Sequence, residues 1–186
     1  MYPLIRIMKE KLKYRRAPRL GLFDTHVSHH RCWPHDLDFY LELNNGRTLT
    51  LYDLGRIVLF ERIGASDEMR RRRWVGTVAG TSIRYRRRVQ AFDRLEMRTR
   101  VLGWDARFLY VEQGMWREGT CTSQALLRTA VVGSGSMVPI GEVAAALGAG
   151  ESPALPGWVR AWIAAEDERI WPPEDRPGCA PPPSAV

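Results

Sequence analysis

Two aspartates, Asp36 and Asp38, stand two residues apart, and an Asn44-Asn45-Gly46 turn follows just ahead of a long amphipathic stretch. That order sets a carboxylate beside a helix start, where the first backbone N–H groups lack intrahelical partners and the dipole is positive. Such a pairing can polarise a carbonyl and deliver water to it. The plainer role is structural: Asp36, Asp38 and the asparagines would cap the helix and close a turn. Spacing alone leaves both open.

Other residues with chemistry are scattered. Asp53 falls inside the helical stretch, where Arg56 is an i, i+3 partner. On a strand, His26 and His30 would share a face while His29 points away. That spacing is poor for a closed metal site, so no metal is expected. Ser82, Ser123 and Ser134 sit in no nucleophile elbow, and the chain has no glycine-rich phosphate loop or dinucleotide fingerprint. The seven tryptophans suit core and interface positions better than base stacking.

The net charge is +7, and of 28 basic residues only Lys9, Lys11 and Lys13 are lysines. Arginine makes bidentate contacts with phosphates and carboxylates. Clusters at Arg70–Arg73 and at Arg84, Arg86, Arg87 and Arg88 suit a phosphorylated ligand, RNA or an anionic membrane, or else a solvated face. Cys32, Cys121 and Cys179 are far apart, which gives neither a disulfide framework nor metal-ligand spacing. A reducing, cytoplasmic setting fits this usage. No run approaches a membrane-spanning length, and the first residues lack a signal-peptide core.

At 186 residues the chain has room for one well-buried domain. Residues 1–24 read as a basic leader. Tyr2, Leu4, Ile5, Met8 and Leu12 alternate there with cations and Pro18 ends any helix, so the leader either touches a membrane surface or packs on its own domain. Residues 25–33 suit a strand, and residues 45–63 a helix with Leu51, Leu54, Ile57, Val58 and Leu59 on its apolar stripe. From 74 to 132 the pattern is antiparallel β, with Leu95, Met97, Thr99 and Val101 alternating with charged neighbours. Glu118-Gly119 suits a hairpin turn, and 121–132 reads as a central strand. Short helices are expected at 142–147 and 158–170, the second within a segment, 151–170, that would pack on the domain. Residues 171–186 are Pro-rich and read as a disordered tail. One long helix followed by a meander of strands implies a sheet wrapped around that helix, an α+β fold whose edge invites a second copy.

These residues resemble the hotdog-fold acyl-CoA thioesterases of the 4-hydroxybenzoyl-CoA thioesterase type. The resemblance rests on Asp36-x-Asp38, on Asn44-Asn45-Gly46-Arg47, and on the helix with Asp53, Leu54 and Arg56. It continues through Ser82–Arg87, the strand Phe92–Val101 and Val138-Pro139-Ile140, and so spans roughly residues 25–147 of a domain placed at residues 25–150. It implies a hotdog fold, an antiparallel sheet around a long central helix, assembled as a homodimer or dimer of dimers. It implies hydrolysis of an acyl-CoA or related thioester, with no cofactor. Asp36 would be the nucleophile or general base, and backbone N–H groups at Asn45 and Gly46 would hold the carbonyl oxygen. Asn44 would shape the helix entry, and Arg86, Arg87 and Arg88 would meet CoA phosphates. Asp53 is the alternative acid, since some hotdog enzymes carry theirs on the helix. The family commonly reads Gly-His before x-Asn-Asn, where this chain has Leu41-Glu42. Glu42 is then a surface residue, a second acid or a partner for Arg47.

Two rival readings follow from the same features. One is a non-catalytic hotdog protein that binds acyl-CoA or acyl carrier protein. The other is a basic protein that associates with a membrane or RNA through the leader and arginine clusters, although little else points to nucleic acid.

Overall fold

The computed structural model describes residues 3–171, so the expected tail, apart from Trp171, lies outside the described residues, as does Cys179. The chain up to Ala154 forms one compact unit, and the residues from Leu155 form another. The first contains α1 (Leu4–Tyr14), β1 (His26–Arg31), α2 (Asn45–Arg62), α3 (Ala65–Arg72), β2 (Val75–Tyr85), β3 (Arg94–Trp104), β4 (Leu109–Arg117), β5 (Thr120–Gly133), β6 (Ser136–Val138) and α4 (Ile140–Ala146). The second contains α5 (Gly157–Asp167), where Arg160 Nη1 donates to the Leu155 carbonyl at 2.7 Å.

The strands form one antiparallel sheet in the order β1-β3-β4-β5-β2, with β6 added to β5. Its inner face is set by alternation: Leu95, Met97, Thr99 and Val101 of β3 are buried, as are Val111, Gln113 and Met115 of β4. Register shifts at Val78/Gly80, Val101/Gly103 and Met115/Trp116 bend the strands and deepen the curl. The hairpin at Glu118-Gly119 forms as the dipeptide predicts, with φ of 49° and 78°.

Helix α2 lies in the concavity. Leu51, Leu54, Val58 and Leu59 recur at helical spacing and are buried, together with Tyr52. The closest approach is at Gly55, where an added Cβ would stand 2.7 Å from Met97 Sδ and 2.8 Å from Thr99 Oγ1. A glycine here lets the helix lie flat on β3. Gly64, just past α2, has φ 82° and starts α3. That helix is hard to read because five of the eight residues in Ala65–Arg72 are charged and no apolar stripe shows.

Strand β1 buries His26, Ser28 and His30 and exposes Val27 and His29, the alternation expected of it. Arg62 Nη1 lies 3.0 Å from His26 Nδ1, and Ser28 Oγ lies 2.8 Å from His30 Nε2. Burial, then Arg62, lowers the His26 pKa from 6.5 to about 4. Burial, then Arg6, lowers that of His30 to about 3. Among the described residues no group of His, Cys, Asp and Glu could hold a metal ion.

Both histidines fold as neutral groups and gain protons more readily when unfolded. Their contribution to stability is therefore full above the unfolded pKa of 6.5 and is lost as pH falls through about 4 and then about 3. Urea midpoints measured from pH 7.5 down to pH 4 should fall more steeply for the wild type than for the His26→Gln/His30→Gln double variant. Parallel slopes would show that the histidines are not the groups responsible.

Candidate active site

The segment that leaves β1 closes a single 3-10 turn, Pro34–Asp36, and then a short loop bridged by Leu37 and Leu43. Asp36 therefore follows the strand rather than ending it, and its side chain is only 2% exposed. Arg6 Nη1, from α1, donates to both carboxylate oxygens at 3.0 and 2.8 Å. The Trp33 N–H donates to Oδ2 at 3.0 Å, and Arg47 Nε stands 3.7 Å from Oδ1. The Asp36 carbonyl accepts from the Asn44 N–H at 2.9 Å. Asp38 closes an Asx turn, its Oδ1 accepting from Tyr40 N–H at 2.8 Å.

Asn44 caps α2, its Oδ1 accepting from Gly46 N–H at 2.9 Å and Arg47 N–H at 3.2 Å. The Gly46 donor expected to hold a carbonyl oxygen is thus already engaged. Asn45 is the first-turn N–H that this cap does not engage. Glu42 pairs with Arg88 at 3.1 Å, not with Arg47.

A polar cavity of about 220 Å³ opens at this helix start. It brings together Asn45, Glu42, Arg86, Arg87, Arg88 and Ser123, so most of the expected binding residues do meet. The arginines are drawn in because Arg86 N–H and Arg87 N–H both donate to the Thr122 carbonyl, at 2.8 and 3.1 Å. Tyr85 Oη donates to the Asn45 carbonyl at 3.4 Å. Asp36 is not among the residues lining this cavity.

A second cavity of about 250 Å³ lies further along the same helix. Its walls are apolar, with Ile57, Phe60, Met69, Trp104, Val131 and Val143 prominent among them. Its polar members include Asp53 and Arg56. Arg56 pairs with Asp53, as the i, i+3 spacing predicts, and also donates to Gln113 Oε1 at 3.1 Å. Gln113 Nε2 in turn donates to the Tyr52 carbonyl at 2.8 Å and to Thr99 Oγ1 at 3.0 Å. The sequence reading missed this relay. Its signal was a glutamine on the inward-facing side of β4, between Val111 and Met115. An apolar cavity of about 150 Å³ already accepts a benzene ring, so this one has room for an aryl or short aliphatic acyl group.

Cys32 is fully buried near the aspartates, and burial, then Asp36 and Asp93, pushes its thiol up to about 11.

Comparison with known proteins gives the family. A profile of the thioesterase-like superfamily matches residues 32–163. The chain belongs to the thioesterase-like superfamily. The protein named THEM6 in Xenopus laevis is 42% identical over 80 residues, which cover 43% of this chain and 39% of that protein. The fungal thioesterase lcsJ of Purpureocillium lilacinum is 28% identical over 130 residues, covering 54% of this chain and 41% of that protein. The chain spans less than half the length of these relatives. The probable thioesterase YbaW of Escherichia coli superposes with a TM-score of 0.61 at 20% identity, covering 65% of this chain and 95% of that one. A 1,4-dihydroxy-2-naphthoyl-CoA thioesterase from Synechocystis superposes with a TM-score of 0.58 at 9% identity, covering 67% and 95%. The superfamily's hotdog fold is therefore the fold of this chain.

The surroundings of Asp36 give it a framework role that can be tested. Asp36→Asn would remove the anion that Arg6 binds through both carboxylate oxygens. The expected cost is about 1–3 kcal/mol, read as a melting midpoint lower by roughly 3–10 °C. An unchanged midpoint would remove the framework role.

Proposed function

We propose that this protein hydrolyses an acyl-CoA thioester whose acyl group lies in the apolar cavity and whose phosphorylated end lies at the helix start. The observation that carries this reading is the order of the two cavities along α2. Asn45 and Thr48 line the polar one; Asp53, Arg56, Ile57 and Phe60 line the apolar one. Strands β2 and β5 form the opposite wall of both, Tyr85 and Ser123 at one end and Gly76–Val78 and Thr129–Val131 at the other. At helical rise, Asn45 and Asp53 are about 12 Å apart along the axis. A ligand with an apolar tail, a slender arm and an anionic head matches that sequence of environments.

In this reading the Asp53 carboxylate is the general base at the reacting carbonyl. It would take a proton from water as the water adds to the thioester carbon. The tetrahedral intermediate then expels the thiolate, which leaves as the thiol with that proton. Arg56, fixed by Gln113, positions Asp53 and offsets the charge that develops. The helix start and Arg86, Arg87 and Arg88 hold the phosphates. Asp36, the first candidate from sequence, builds the helix entry.

Thiol release from a panel of acyl-CoA esters tests the reading. Asp53→Asn should lower kcat by roughly 10²–10⁴-fold. Replacing Arg86, Arg87 and Arg88 with serine should raise KM for CoA esters more than for pantetheine esters, which lack the nucleotide phosphates. Loss of turnover in Asp36→Asn with Asp53→Asn active would move the chemistry to Asp36. No thiol release from the wild type, with CoA esters still bound, would make this a binding protein.

The same proposal includes a homodimer in a cytoplasmic setting. Among the described residues β2 pairs only with β5, so its other edge is open to a second copy. Light scattering at micromolar concentration should give twice the chain mass of 21.3 kDa, and a monomer would count against it.

A further inference from the structure

Helix α1 packs the wrong way round for an ordinary amphipathic helix. The face turned to the domain carries Arg6, Ile7, Glu10 and Tyr14. Arg6 bonds to Asp36 and to the Arg31 carbonyl, and Tyr14 Oη donates to the Val27 carbonyl at 3.2 Å. Glu10 is 6% exposed although it is the only acid in the helix. The opposite face carries Leu4, Ile5, Met8 and Leu12, which are 65%, 84%, 63% and 60% exposed. At 3.6 residues per turn these four fall within an arc of about 100°. Lys9 and Arg16 border that arc on one side and Arg15 extends it at its C-terminal end, while Lys11 on the other side is paired with Glu61 at 2.6 Å. None of the four apolar side chains lines either cavity.

Burying a carboxylate while leaving four large apolar side chains in water runs against the usual partition. We propose that this stripe docks on an anionic lipid bilayer surface, lying in the headgroup region with the cations on its borders against lipid phosphates or carboxylates. The charge pattern decides the occupant: basic residues rim the stripe, and the helix's one acid is turned inward. The composition is that of an interfacial helix, with a narrow aliphatic face and lysine or arginine flanks. Among the described residues no helix is long and apolar enough to cross a membrane, so α1 lies on the surface rather than spanning it. The ion pair of Arg6 with Asp36 fixes the docked helix to the segment that leads into α2. This proposal does not depend on thioester hydrolysis.

The test is flotation of the full chain with vesicles of phosphatidylcholine alone or with added phosphatidylserine. The wild type should float with the serine-lipid vesicles, and less so as salt rises. Changing Leu4, Ile5, Met8 and Leu12 together to glutamine, a good helix former, should reduce partitioning at least tenfold with no change in melting midpoint. Lys9→Gln with Arg15→Gln and Arg16→Gln should remove the preference for the anionic lipid. The proposal falls if the wild type ignores anionic vesicles at low salt, or if the glutamine variant floats equally well. It also falls if light scattering shows that the stripe joins copies of the chain, with an assembly that the glutamine variant breaks and vesicles do not.

Discussion

A carboxylate shut away from water must be neutralised where it stands, and the neutralisation of Asp36 ties together three parts of this chain. Arg6 reaches it from α1, the Trp33 N–H from the segment leaving β1, and Arg47 from the first turn of α2. Its own carbonyl receives the N–H of Asn44, the residue that caps α2. The point from which α2 enters the sheet is set by this one charge. The direction of α2 then follows from Gly55, whose missing side chain lets the helix rest on Met97 and Thr99.

Once α2 is fixed, its remaining faces divide the labour. The inward stripe of Leu51, Leu54, Val58 and Leu59 closes the core. A neighbouring stripe, from Asn45 through Asp53 to Phe60, faces β2 and β5 and contributes to both cavities. The two cavities differ in polarity because they meet different parts of the same strands. The β2–β5 pair ends in Tyr85, Thr122 and Ser123 at the helix start, whereas Val78, Ala130 and Val131 stand opposite its later turns. A single helix thus presents polar groups and apolar ones in linear order, at a spacing that α-helical rise dictates.

Much of the scaffold was legible because it depends on local periodicity. The 3.6-residue pattern of α2, the alternation of β3 and the Glu118-Gly119 turn all appear where the residues place them. So does the ion pair of Asp53 with Arg56, whose members are close in the chain. What was hidden is long-range. Nothing near Asp36 announces Arg6 from thirty residues upstream, and without that partner a buried framework carboxylate looks the same as a reactive one. Glu42 likewise pairs with Arg88 rather than the nearby Arg47, because the end of β2 folds back beside it. The apolar cavity takes its walls from α2, α3, α4, β2, β3, β4 and β5, and no sequence window contains it. Helix α3 was invisible for a different reason: five of its eight residues are charged, and it shows no apolar stripe.

The thiol of Cys32 shows what such a crowded anionic neighbourhood does to a reactive atom. It is the thiolate that oxidants attack, and a sulfur that holds its proton up to about 11, with no exposed surface, offers almost none of it near neutrality. The carboxylates Asp36 and Asp93 deepen that protection while the nearby Arg6 works against it. The helix entry is therefore chemically quiet toward peroxide and disulfides, and of the two cysteines among the described residues oxidative stress would reach the exposed sulfur of Cys121 first.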